Sequence, residues 1–291
     1  MPIVNGAEIL EAARRGGYAV GGFDVFGVES LQAIIDAAEE CGTPVFLQGC
    51  VRALEHLGTQ SAALLMREAA ATARVPVTVH SDHGPEPTRL SDVLNCLEAG
   101  FTSVMVDGSR LALQENVELT QAAVRMARRF GACVEGEIGK IGRITGGHAD
   151  EIAKQMARQD DKKGWLTSLE EAIRYVDETG VDYLAVSVGS VSGASSSLDL
   201  QLLEELSKKI SVPLVLHGGS GVPQADLRGA VTLGVAKVNI AHGVRRCFIR
   251  ALRDGLADGR NTDNPFVLLT SARQAMREFV TQKIRQLRDA R

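Results

Sequence analysis

Three ionisable side chains fall within four residues at His80, Asp82 and His83, in the run Val79-His80-Ser81-Asp82-His83-Gly84. Two imidazoles flanking a carboxylate can supply a metal ligand and a proton-transfer group together. A single histidine there would usually only cap a strand or pack in a turn; three polar groups at one strand end favour chemistry. A second run, Leu216-His217-Gly218-Gly219-Ser220-Gly221, exposes successive backbone N–H groups and one hydroxyl, an arrangement suited to phosphate. His217 immediately precedes that turn and can reach inward as a ligand, and Asn239, in Lys237-Val238-Asn239, ends beside it. Glu135 and Glu137 alternate, so both point to one side of an extended segment. Two buried acids are costly unless they bind a cation or pair with Arg or Lys. Asp107 and Asp24 end two further apolar runs and are candidates of the same kind.

These residues need a scaffold that gathers them, and the order of the chain supplies one. Eight short apolar, β-branched runs recur at 18–24, 44–49, 75–81, 103–108, 133–139, 183–189, 213–219 and 237–243. Amphipathic stretches separate them, such as 29–41, 115–130 and 199–209, the last two acidic at the start and basic at the end as a helix dipole favours. Eight strands alternating with helices predict an α/β fold, a (β/α)8 TIM barrel forming a single domain over residues 1–291. The polar residues then fall at strand C-termini, where such barrels keep their chemistry. The interval after the fifth strand is long, with a glycine-rich part at 139–147 and a charged run at 150–163. It reads as a lid or active-site loop. A charged helical tail at 263–291 either caps the barrel floor or joins a subunit contact.

Composition narrows the function classes. The chain has 291 residues, 30 of them glycine, is 45% hydrophobic and 23% charged, and is therefore not a disordered protein. With 32 basic and 36 acidic residues the formal charge is −4, so no basic field exists to hold a nucleic acid backbone. No apolar stretch approaches a membrane span and the first residues do not resemble a signal peptide. Five scattered cysteines without a C-x-x-C pair support neither a disulfide framework nor a thiolate zinc site. A cytoplasmic protein with a small-molecule substrate is expected, without nucleic-acid or membrane partners. Cys96 and Cys133 read as packing residues, His56 as a surface helix residue and Trp165 as an anchor for the long interval.

Read together, the stretches YAVGGF (18–23), VPVTVHSDHG (75–84), GFTSVMVDGS (100–109), VEGEIG (134–139), TGVDYLAVSVG (179–189), PLVLHGGSGVP (213–223) and KVN (237–239) resemble the class II, zinc-dependent ketose-bisphosphate aldolases. This group includes fructose- and tagatose-bisphosphate aldolases. The resemblance implies that Asp82 shuttles the proton on the aldehyde oxygen and that His83 and His217 hold zinc. It also implies that Gly218, Ser220 and Asn239 bind a substrate phosphate, that Asp107 and Glu137 lie near a second metal position, and that the protein is a homodimer or homotetramer. Zinc would polarise the ketone and stabilise the enediolate of dihydroxyacetone phosphate.

The chain departs from that family at four places. The third zinc ligand lies in a Gly-Thr-x-His-Gly stretch, which here is Gly189-Ser190-Val191-Ser192-Gly193, so Ser192 stands at the ligand position. A hydroxyl is a poor zinc ligand. The loop after the fifth strand usually carries a glutamate base; the corresponding Gly142-Arg143-Ile144-Thr145-Gly146 has no acid. The phosphate stretch continues Ile240-Ala241-His242-Gly243 in place of Thr-Asp or Thr-Glu, and Asp24 replaces the asparagine that ends the first strand, adding negative charge near an anionic substrate. Glu135, His242, His148 and Ser192 are the candidates to compensate. Three activities fit this pattern: a metal-dependent aldolase acting on a phosphorylated ketose or related keto compound; an isomerase, epimerase or other carbon–carbon bond enzyme using the same phosphosugar site; or a non-catalytic sugar-phosphate-binding paralogue.

Overall fold

Eight parallel strands close on themselves in the computed structural model, which describes residues 3–84, 87–140, 142–143, 164–192, 195–259 and 263–290. They are β1 (Val20–Asp24), β2 (Val45–Cys50), β3 (Val77–Asp82), β4 (Ser103–Val106), β5 (Cys133–Ile138), β6 (Tyr183–Val186), β7 (Leu214–Leu216) and β8 (Val235–Ile240). The strand order is β1-β8-β7-β6-β5-β4-β3-β2, closed by the pairing of Gly22 with Asn239 across β1 and β8. All eight predicted strands are present. The last begins two residues earlier than predicted and stops at Ile240, because the chain turns into a helix at His242.

Eleven helices surround the barrel among the described residues: α1 (Gly6–Gly16), α2 (Val28–Cys41), α3 (Val51–Leu57), α4 (Thr59–Thr72), α5 (Leu90–Ala99), α6 (Leu113–Arg129), α7 (Leu169–Thr179), α8 (Leu200–Lys209), α9 (Gln224–Thr232), α10 (His242–Ala257) and α11 (Pro265–Arg288). Their boundaries follow local chemistry. Asp199 caps α8 by accepting the Leu202 N–H at 3.0 Å, and Asn264 with Pro265 starts α11. No element is predicted before residue 18, yet α1 lies there, its Asn5 cap accepting from Ala7 N. Its Leu10 and Ala13 join the inner core with Val20, Phe46 and Tyr183, so α1 plugs the barrel floor. The predicted C-terminal tail is one 24-residue helix on the flank, packed against α2 and α10.

After β5 the chain makes a short parallel pair, Gly142–Arg143 with Val191–Ser192. Residues 144–163, which hold His148 and the charged run expected to form a lid, lie outside the described residues. Trp165 is half-buried, and its carbonyl accepts the Lys140 N–H at 2.8 Å. His56 is exposed on α3, whereas Cys96 and Cys133 are buried with their thiols pushed up by burial.

Strand alternation sorts the barrel interior. On β5, Val134 and Ile138 face the helices, while Cys133 belongs to the inner core and Glu135 and Glu137 share its side. Above the apolar floor lies a fully buried polar layer of His80, Glu135 and Lys237. Lys237 Nζ is 2.5 Å from Glu135 Oε2 and 3.4 Å from His80 Nε2, and it sits over the Phe46 ring at 5.0 Å. His80 Nδ1 meets Ser103 Oγ at 2.5 Å. Burial, reinforced by the Lys237 ammonium and opposed by Glu135, depresses the His80 imidazole from 6.5 to about 3.

Two outcomes follow from this layer. Between pH 6.5 and 3 the unfolded chain protonates His80 and the folded chain does not, so His80 lowers stability as pH falls, by roughly 2 kcal/mol at pH 5. Urea unfolding at pH 7 and pH 5 measures this, and His80→Asn should show a shallower loss; an unchanged slope would contradict the assignment. Lys237→Met leaves Glu135 charged and buried without its cation, and the urea midpoint should fall by an amount equivalent to about 3–5 kcal/mol.

Candidate active site at the barrel mouth

The polar residues singled out from the sequence converge at the C-terminal ends of the strands. On β3, alternation sends His80 and Asp82 into the barrel and would send residue 83 away from it. His83 nevertheless faces the mouth, because the chain turns just past the strand and His83 takes φ +30°, in the left-handed region that non-glycine residues rarely occupy. Consecutive residues Asp82 and His83 thereby enter one site. His80 does not: it belongs to the buried layer below.

His83 and His217 stand at the centre. His83 Nε2 lies 2.6 Å from His217 Nδ1, with the rings edge-to-face at 77°. The opposite nitrogen of His217, Nε2, donates to Glu135 Oε1 at 2.7 Å, and the other Glu135 oxygen accepts from Lys237. Both Glu135 oxygens are therefore engaged in orienting His217 and balancing Lys237. Of the two acids, Glu135 is ion-paired, and its partner is Lys237, a residue outside the expected site set. A buried lysine in the centre of an apolar strand carries no pattern of its own, so only the facing acid on β5 could have signalled it.

Glu137 and Asp107 point the other way, toward His83 Nδ1, at 3.6 and 3.4 Å. Asp107 Oδ1 also accepts from the Ser109 hydroxyl at 2.7 Å. The result is two groups of metal-type donors that share one imidazole: Asp82, His83 and His217, and His83, Asp107 and Glu137, each with its donor atoms within 4.8 Å of one another. Two nitrogens and a carboxylate suit a divalent ion of the zinc type; one nitrogen and two carboxylates suit a harder one. Burial would raise the Asp82 pKa, but the facing His83 and His217, with Lys237 and His80, hold it below the ordinary carboxylate value.

The glycine turn after β7 meets the start of α10. Gly218 has φ +73°, and a Cβ on Gly219 would stand 2.3 Å from the Val238 side chain, so no larger residue fits. Ser220 Oγ accepts the Gly243 N–H at 3.1 Å, fastening the turn to the helix N-terminus. Gly218, Ser220, Asn239 and His242 line a small cavity of about 30 Å³ together with Asp82, His83 and His217. Asn239 Nδ2 donates to Asp82 Oδ1 at 2.9 Å, while its Oδ1 is buried without a partner. His242 borders the cavity but belongs to neither donor group, and burial with nearby Arg245, Arg246 and Arg52 lowers its pKa.

Asp24 lies fully buried at the end of β1 and forms an ion pair with Arg245 from α10. The expected excess of negative charge near a substrate is thus met by a guanidinium with no motif of its own. Arg245 follows His242 by three residues, the spacing that brings one face of a helix to one side of the mouth. Ser192 is placed by its backbone in the short pair with Arg143, and His148 lies outside the described residues.

Known proteins share this architecture. A relative 36% identical over 288 residues, covering 98% of this chain and 96% of its own, is the sulfofructosephosphate aldolase of Alkalicoccus urumqiensis. The crystal structure of the YdjI aldolase of Escherichia coli K12 superposes with a TM-score of 0.82 at 29% identity, covering 98% of this chain and 97% of that one. The fructose-bisphosphate aldolase of Campylobacter jejuni superposes equally well, at 0.82 with coverage of 98% and 95%; its 22% identity speaks to the fold alone. The family model described as fructose-bisphosphate aldolase class-II matches residues 4–291. The chain belongs to the class-II fructose-bisphosphate aldolases and is a lyase that acts on a phosphorylated sugar by metal-assisted aldol chemistry.

Proposed function

We propose that the enzyme cleaves a phosphorylated ketose reversibly, with zinc or a similar divalent ion held through His83 and His217. The observation that carries this reading is the meeting of His83, His217 and Asp82 within 4.8 Å at the barrel mouth. When bound, the ion polarises the ketone and steadies the negative charge left when the carbon–carbon bond breaks. Asp82 moves the proton on the aldehyde oxygen, held in place by the Asn239 amide. Gly218, Ser220 and Asn239 hold the phosphate, helped by the N-terminal N–H groups of α10. Asp107 and Glu137 take a second cation against His83, and Asp24 borders the substrate with its charge offset by Arg245.

Glu135 supports His217 and is not itself a substitute ligand, because both its oxygens are occupied. Sulfofructosephosphate, the substrate in the name of the Alkalicoccus relative, is the first compound to try. We further propose a cytoplasmic homo-oligomer, a dimer or tetramer. Five free cysteines support the compartment, and Ile249, Leu256 and Phe266, exposed on α10 and α11, support the assembly. Among the described residues no helix is long and apolar enough to cross a membrane.

Purified protein should carry at least one divalent ion per chain and release dihydroxyacetone phosphate from sulfofructosephosphate or a related ketose phosphate. Chelation should abolish cleavage and added zinc should restore it. Cleavage that survives complete removal of metal would refute the reading. His217→Ala should lower activity by at least a hundredfold and reduce bound metal in parallel, which activity assays with elemental analysis will show.

A further inference from the structure

The resemblance drawn from the sequence places Ser192 where the family has its third histidine, which would leave the ion one ligand short. We infer that Asp82 fills that place: its carboxylate is the third protein ligand of the ion held by His83 and His217. This rests on the metal-dependent reading above and departs from the role that the family resemblance assigns to Asp82 alone.

Three observations carry the inference. A carboxylate oxygen of Asp82 lies within 4.8 Å of the donor nitrogens of both histidines, and among the described residues this is the one group that joins both histidines to an acid. The competing acids are committed elsewhere. Glu135 spends one oxygen on His217 Nε2 and the other on Lys237, and Asp107 and Glu137 approach the opposite nitrogen of His83. Finally, Asp82 is held where it is needed. Asn239 donates to one of its oxygens at 2.9 Å, and the left-handed turn at His83 brings adjacent residues 82 and 83 to the same side.

Two imidazoles and one carboxylate bind divalent zinc-type ions well, and such three-ligand sites leave a position for substrate oxygen. A neutral serine hydroxyl would leave two neutral imidazoles to face a doubly charged ion in a buried mouth. A carboxylate supplies charge as well as a donor atom. Asp82 would then be both a holder of the ion and the carrier of the proton on the aldehyde oxygen.

The test is metal affinity, read separately from activity. Zinc or cobalt(II) affinity of the full chain is measured by competition with a chromophoric chelator for the wild type, Asp82→Asn, Asp82→Ser and His148→Ala. The cobalt absorption spectrum is recorded for each, and folding is checked by circular dichroism. We expect both Asp82 variants to lose at least tenfold in affinity with an altered cobalt spectrum, and His148→Ala to match the wild type. Two variants guard against one failing to fold. Wild-type affinity and spectrum in a folded Asp82 variant would overturn the inference, as would loss of the ion in His148→Ala alone. A wild-type protein that binds neither ion would instead overturn the metal-dependent reading on which the inference depends.

Discussion

One buried ammonium organises the centre of this barrel. Lys237 has no access to solvent, and its charge is tolerable because Glu135 meets it at 2.5 Å. The second oxygen of Glu135 is thereby aimed upward at His217 Nε2, which fixes the imidazole so that Nδ1 faces His83. A carboxylate on the far nitrogen of a ligating histidine sets its tautomer and strengthens it as a donor. The layer below the mouth is thus part of the site, although none of it touches the small cavity where His83 and His217 lie. Its cost is a depressed histidine, His80, kept neutral under the same ammonium.

Above this layer the mouth divides its charges by direction. His83 presents Nε2 to His217 and Nδ1 to Asp107 and Glu137, and Asp82 joins the two histidines in one donor group, so the ring is shared by two acidic regions. This requires residues 82 and 83 on the same side of a strand that alternates. The left-handed conformation at His83 achieves it, at a strain of the order of 1–3 kcal/mol. The phosphate-type turn is held separately, by Ser220 on the α10 N-terminus. The turn nevertheless adjoins the histidine pair, because His217 directly precedes Gly218 and Asn239 reaches across to Asp82.

Much of this was legible in the residues. Eight β-branched runs with a steady spacing specify the barrel, and period-two spacing put Glu135 and Glu137 on one side. The same pattern could not show that these glutamates differ, because the difference depends on who stands opposite: Lys237 for one and His83 for the other. Alternation also predicts poorly at His83, where the backbone leaves the strand. Helix α1 escaped because its buried stripe is little more than Leu10 and Ala13, which gains meaning only from the barrel floor it plugs. Arg245 escaped because its partner Asp24 is 221 residues away in sequence.

The Lys237–Glu135 pair orients His217, and the tautomer of that ring reports the orientation directly. Nitrogen-15 NMR of histidine-labelled, metal-free protein distinguishes the two neutral forms. A proton on Nε2 with Nδ1 bare is the predicted result, lost or mixed in Glu135→Gln. A proton on Nδ1, or a tautomer unaffected by Glu135→Gln, would contradict the account.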